Sequence, residues 1–386
     1  MSASTIQDEL LAIKNQSLYR RLRRVENDQG PILMLDGRQV INLSSNNYLG
    51  LANHPALAAA AKEAIDRYGC GSGASRLISG NMALHEELEF RLARFKGTEA
   101  ALVFNSGFQL NTGILSTLAG EGDVIFSDAL NHASIIDGCR LSRGQTVVYP
   151  HGDLNRLEAA LRQSVNSQRR LIVTESIFSM DGDEAPLTQI VELAERHDAM
   201  VMVDEAHATG LFGANGAGVV AKLGLSDRVA VQMGTLGKAL GGFGAYVAGS
   251  RALRELLINR CRSFIFTTAL PPAVMAMAIA AVDLVEREPE RRAVLWDNCR
   301  HLSEGLRSLG FDTRPLASAI LPLIIGDAGA CMKLSEQLLE RGIFAQGIRP
   351  PTVPPGTSRL RITVMATHGR EHLDAALNAF RSVKEC

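Results

Sequence analysis

Residues 199–210 read AMVMVDEAHATG and residues 233–246 read MGTLGKALGGFGAY, and these two stretches decide the fold. Met200, Val201, Met202 and Val203 show no alternation of apolar and polar positions, the pattern of a parallel strand covered on both faces. Polar residues begin where that run stops, at Asp204 and His207. The carboxyl ends of parallel strands are where α/β proteins gather their chemistry. In the second stretch Lys238 stands among Gly234, Gly237, Gly241 and Gly242, on backbone that turns sharply and lets a bulky ligand come close. Such a lysine suits a Schiff base, provided that desolvation or a neighbouring cation strips its proton near neutral pH.

Outward from these stretches, helical periods and short apolar strands alternate from about residue 55 to about residue 285. They include helix ALHEELEFRLARF, strand AALVF, helix LNTGILSTLA, strand DVIFSD, helix HASIIDGCRLS and strands TVVYP and RRLIVTES. Repeated strand–helix units predict an α/β domain, a mainly parallel central sheet with helices on both faces. Near Arg287 the pattern changes to a long amphipathic helix, RRAVLWDNCRHLSEGLRSLG, then ILPLIIGD, FAQGIRP and RLRITVMA with helices between and after them. The expected division is a helical arm with a small strand pair over 1–45, a large α/β domain over 46–286, and a smaller C-terminal α+β domain over 287–386.

A chain of 386 residues with 46% hydrophobic content can build more than one core, and its net charge of -1 argues against nucleic acid or a membrane surface as the main partner. The cluster Arg20, Arg21, Arg23 and Arg24 is a local exception that could meet an anion or simply form a solvated helix face. Cys70, Cys139, Cys261, Cys299, Cys331 and Cys386 lie far apart, with no CxxC pair and no signal peptide, so reduced thiols and a cytoplasmic location are expected. The apolar stretch Leu270–Val285 opens with Pro271 and Pro272 and contains Asp283, too short and interrupted for a membrane span.

Two motifs mislead. YGCGSGAS has the GxGxxA spacing of a dinucleotide site, but it follows the helical stretch LAAAAKEAIDRY where that motif needs a strand. DEAH resembles the metal-binding acid of a helicase, yet the only GK, Gly237 and Lys238, is followed by Ala239, so an ATPase lacks its phosphate loop. No metal site is expected.

The remaining motifs converge. Asp204, whose plainer alternative is a cap, can keep a pyridine nitrogen protonated so that the ring accepts electrons from a substrate carbanion. His207, three residues on, can hydrogen-bond the phenolic oxygen of that ring. Ser106 and Gly107 in FNSGFQLN lie between a strand and a helix whose first N–H groups suit a phosphate. His132 in DALNHASIIDG stands at another strand-to-helix junction, where it caps the helix or stacks on a planar ligand. Ser179 in IFSMDGD and Thr235 add hydroxyls that alone would read as turn residues. With Lys238, the set suggests pyridoxal 5'-phosphate.

NSGF, NHAS, ESIFSMDGD, VDEAHATG and TLGKALGG, with SSNNYLGL, GSGASRLISG and RPPTVPPGTSRLRIT, resemble the α-oxoamine synthases over nearly the whole chain. The resemblance implies the fold-type I architecture of pyridoxal-phosphate-dependent transferases and a homodimer with active sites at the subunit interface. It implies Lys238 as covalent anchor and acid/base, Asp204 on the pyridine nitrogen, and His132 stacked on the ring and touching substrate. Ser179 and His207 would flank the ring oxygen, with Gly107, Phe108 and Thr235 on cofactor and phosphate, and Thr267 or Thr268 reaching the partner subunit's phosphate. Asn46 and Arg361 match positions for the amino-acid carboxylate, and Arg20 and Thr352 match acyl-substrate positions. The implied reaction is decarboxylative condensation of L-alanine with a pimeloyl thioester, carried on coenzyme A or acyl carrier protein, in biotin biosynthesis. Family members that use glycine remain alternatives.

Overall fold

The computed structural model describes residues 3–16 and 18–384, which fall into two compact units. The terminal unit comprises residues up to Gly50, Met180–Gly182 and Ala293 onward; the central unit comprises Leu51–Ser179 and Asp183–Arg292. The expected division left the first 45 residues as an arm of their own. In the structure they join the C-terminal part, because a strand near residue 40 pairs with one near residue 343. Cys386 lies outside the described residues, and the other five cysteines are free thiols.

The N-terminal residues form helix Ala3–Asn15 and the strands β1 (Ile32–Leu35) and β2 (Arg38–Asn42). Asp36 and Gly37 join the strands at φ of 48° and 77°, the left-handed pair that a tight hairpin requires.

The central unit contains β3 (Ala100–Phe104), β4 (Val124–Asp128), β5 (Gln145–Tyr149), β6 (Arg170–Glu175), β7 (Met200–Asp204), β8 (Val231–Thr235) and β9 (Ala245–Gly249). They form one sheet in the order β3-β9-β8-β7-β6-β4-β5. Strands β5, β4, β6, β7 and β8 pair parallel, and β9 runs antiparallel between β8 and β3. Every residue of β4 and β9 is buried, so helices cover the sheet on both faces. One face meets the helices Gly107–Leu118, Ala133–Leu141 and Arg251–Arg260 through Leu110, Ile114, Ile135 and Leu257. Fully buried residues such as Ile125 and Ile114 each contribute ~1.5–3 kcal/mol through removal of apolar surface from water.

The order of the strands decides where the chemistry collects. The chain begins at one edge, crosses to β4 and β5 at the other, and returns through β6, β7 and β8. The segments after β3, β4, β6, β7 and β8 carry Gly107, His132, Ser179, His207 and Lys238 respectively. These parallel-running strands all deliver their carboxyl ends to one rim, as α/β sheets do around a ligand.

In the terminal unit, β10 (Ile320–Gly326), β12 (Gln346–Ile348) and β13 (Ser358–Thr363) form an antiparallel sheet, while β11 (Ile343–Phe344) extends the β1–β2 hairpin. Every residue of β13 is buried, including Arg359 and Arg361. Arg359 is neutralised by Asp181, whose Oδ1 it reaches at 2.6 Å, and Arg314 reaches the same oxygen at 2.9 Å. No helix among the described residues is long and apolar enough to cross a membrane.

Candidate active site

A cavity of about 200 Å³ opens at the rim of the central sheet, lined among others by Gly107, Phe108, His132, Asp204, His207, Thr235 and Lys238. Lys238 follows β8 by three residues. Thr235 prepares its turn: the hydroxyl donates to the Gly244 carbonyl at 3.1 Å and accepts from the Gly237 N–H at 3.2 Å. Gly241 closes the loop at φ 64°, and a Cβ there would stand 2.5 Å from the Ala52 backbone nitrogen. Only glycine fits that position. The Nζ of Lys238 lies 2.9 Å from Nε2 of the buried His207.

Asp204 ends β7 with its carboxylate held twice. Oδ1 accepts from the Ala206 N–H at 2.9 Å, so the capping turn is real, and Oδ2 accepts from Asn111 Nδ2 at 2.8 Å. The same Asn111 amide donates to Ser134 Oγ at 2.9 Å, and Ser134 Oγ lies 2.8 Å from His132 Nδ1. His132 is also the N-cap of helix Ala133–Leu141, its Nδ1 accepting from the Ser134 N–H at 3.2 Å. A nitrogen that accepts there carries no proton, so the neutral ring is the Nε2–H tautomer. Electrostatics agree: burial lowers the His132 pKa and the Lys238 ammonium lowers it further, against the opposing pull of Asp204.

Helix Gly107–Leu118 starts at the cavity with Ser106 as its cap, the serine hydroxyl accepting from the Gln109 N–H at 3.2 Å. The first turn therefore offers backbone donors and the positive end of a twelve-residue helix to an anion. Asn111 Oδ1 and Glu175 Oε1 are buried without a hydrogen-bond partner among the described residues. An amine, a carboxylate, a flat neutral imidazole, an anion-binding helix start and two unsatisfied polar atoms around one cavity fit a phosphorylated pyridine aldehyde.

Ser179 is buried outside that lining, in the loop after β6. Thr267 and Thr268 lie elsewhere in the central unit, where Asn105 Nδ2 donates to the Thr267 hydroxyl at 3.2 Å and to the Thr268 carbonyl at 2.9 Å. In the terminal unit, Arg361 donates to Asn46 Oδ1 at 3.1 Å. Arg20 and Thr352 line one cavity of about 700 Å³ together with Arg21, Arg23 and Arg349. Within the arginine cluster, Arg23 pairs with Glu336 at 2.7 Å and Arg24 pairs with Glu26.

Three residues that frame the central cavity escape a reading of the sequence: Asn111, Ser134 and Glu175. Asn111 stands one helical turn after Gly107, the spacing that shares a face, which was the available signal. Glu205, the second letter of DEAH, turns away from the cavity to a fully buried ion pair with Lys96, and its other oxygen accepts from the Val220 N–H at 2.9 Å.

A family model described as aminotransferase class I and II matches residues 38–380. A protein of Geobacter sulfurreducens named 8-amino-7-oxononanoate synthase is 54% identical over 382 residues, covering 98% of this chain and 97% of its own. A variant of serine palmitoyltransferase from S. paucimobilis, solved with a bound PLP–myriocin aldimine, superposes with a TM-score of 0.94 at 34% identity, covering 99% of this chain and 97% of its own. The 8-amino-7-oxononanoate synthase of Francisella tularensis superposes with a TM-score of 0.77 at 28% identity, covering 90% of this chain and 98% of its own.

Proposed function

Since the chain belongs to the class I and II aminotransferase family and, within it, to the 8-amino-7-oxononanoate synthases, it is a pyridoxal-phosphate-dependent acyltransferase of biotin biosynthesis, and we propose that it condenses L-alanine with a pimeloyl thioester, releasing carbon dioxide and the thiol. The observation that carries the reading is the continuous polar frame of one cavity, in which Lys238 contacts His207 while Asn111 and Ser134 link Asp204 to His132.

When bound, pyridoxal phosphate supplies an electron-accepting ring that stabilises negative charge at the Cα of the amino acid. The chain's residues do the rest. Asp204, doubly held, keeps a proton on the pyridine nitrogen. Lys238 would hold the cofactor covalently, and its amine, when free, would take the Cα proton and return one at the end. His207 orients that amine and meets the phenolic oxygen, which Ser179 flanks. His132 would cover the ring and offer its Nε2–H to the substrate. Gly107, Phe108 and Thr235 hold the cofactor and its phosphate.

In the terminal unit, Arg361, with Asn46 beside it, suits the alanine carboxylate through its two-pronged donor geometry. Arg20 and Thr352 suit the acyl substrate, whose carboxylate and phosphates match a cavity with four arginines in its walls. Because Arg23 and Arg24 have acidic partners, the acyl contact falls to Arg20 or its neighbour Arg21.

The working form is proposed to be a cytoplasmic homodimer. Supporting the dimer are large apolar side chains left to solvent in the central unit, with Ile78 80% and Phe266 72% exposed. Phe266 adjoins Thr267 and Thr268, which would then serve the partner's phosphate.

The deciding assay incubates the purified protein and pyridoxal phosphate with alanine, glycine or serine and a panel of acyl thioesters, following thiol release. Release is expected with alanine and a pimeloyl thioester. Faster release with glycine, or with a short acyl group, overturns the substrate assignment.

A further inference from the structure

Glu175, the last residue of β6, is one of the buried acids that no step above uses. It pairs in register with Asp204 on β7, so their side chains leave adjacent strands on the same face, and both line the central cavity. The backbone N–H groups of His132 and Ser179 point at its carboxyl group. Its own N–H donates to Asn131 Oδ1 at 3.2 Å, and Asn131 Nδ2 donates to the Val173 carbonyl at 2.8 Å, which ties β6 to the segment carrying His132. Oε1 of Glu175 is buried and has no partner among the described residues.

We propose that Glu175 is a positioning residue: its carboxyl group fixes the backbones of His132 and Ser179 around the cofactor cavity and presents one oxygen to that cavity. The inference rests on the cofactor reading given above. Two backbone donors from two different loops converge on a single side chain, and removing it takes one acceptor away from both N–H groups. Burial, reinforced by the Asp204 carboxylate, raises the Glu175 pKa well above the usual range. That direction favours the protonated form of this acid. A neutral acid has a carbonyl oxygen for the N–H groups and a hydroxyl to donate. A glutamine has the same shape, an equivalent carbonyl oxygen and an amide donor.

The test compares wild type, Glu175→Gln and Glu175→Met by pyridoxal phosphate titration, visible-region circular dichroism of the bound cofactor, and thermal unfolding of the cofactor-free protein. Wild type that binds no pyridoxal phosphate refutes the cofactor reading itself. Given that it binds, Glu175→Gln is expected to match it in affinity and dichroism. Glu175→Met, which fills the space without an acceptor, should bind about tenfold more weakly, the scale set by an unsatisfied buried polar group, and lose dichroism per bound cofactor. A merely structural residue would lower the unfolding temperature and leave affinity and dichroism unchanged in the folded fraction. That result overturns the proposal, as does a Glu175→Gln protein as impaired as Glu175→Met. If Glu175→Met does not fold, the Gln variant alone decides: wild-type affinity and dichroism sustain the proposal, and loss of either refutes it.

Discussion

Asn111 holds Asp204 by a single hydrogen bond of 2.8 Å from Nδ2 to Oδ2, and both residues are buried. The bond crosses from helix Gly107–Leu118 to the end of β7, so the helix that offers its N-terminus to an anion also aims the carboxylate for the ring nitrogen. Hydrogen bonds to charged groups contribute roughly 1.5–3 kcal/mol. Replacing Asn111 by Ala should lower kcat/KM for alanine by ~10–150-fold on that scale. A steady-state assay checks this, and near-wild-type kinetics would show that the Ala206 N–H suffices to hold Asp204.

The Lys96–Glu205 pair underlies the turn that carries His207, and both side chains are inaccessible to solvent. Removing one partner of such a pair leaves an uncompensated buried charge and costs about 3–5 kcal/mol. Glu205→Leu should therefore unfold at markedly lower denaturant concentration than wild type. Combined with Lys96→Met, it should recover much of the loss, because an apolar pair of similar volume leaves no charge behind. Equal loss in the single and double variants would refute this account.

His151 bridges Asp128 at 3.0 Å and Asp183 at 2.8 Å. The hydrogen bond to Asp128, then that to Asp183, raises its pKa from 6.5 to about 10, against partial burial. A folded-state pKa raised above the unfolded value gives stabilisation that is complete below pH 6.5 and is lost as pH rises from 6.5 to about 10. The imidazole is half-buried, so solvent screening reduces the effect. The unfolding-temperature difference between wild type and His151→Gln should be largest below pH 6.5 and shrink toward pH 10. A difference that stays flat across that range contradicts the bridging imidazolium.

Much of the site is legible in the linear sequence because strand ends concentrate it. The unalternating run Met200–Val203 marks a covered strand, and its end places Asp204 and His207; glycines around Lys238 mark a loop that a ligand approaches. The direction of β9 is not legible, since AYVAG is buried at every position and reads the same in a parallel or an antiparallel neighbour. Asn111 and Ser134 hide because a polar residue inside a helix has many ordinary explanations, and only the third dimension sets both beside Asp204. The pairing of β2 with β11 joins residues about 300 positions apart, a distance over which local patterns carry no information. His132 shows that two readings of one residue are not always rivals: it is a helix cap and a cavity wall at once.

That double role has an architectural consequence. The nitrogen that starts the helix Ala133–Leu141 also settles the proton on the opposite side of the ring, so scaffold and chemistry meet in one atom and divide there. Asparagine starts helices as well as any residue but has no aromatic ring. The helix could therefore persist through a change that strips the ring face of its aromatic cover, leaving the framework open to other chemistry at this position.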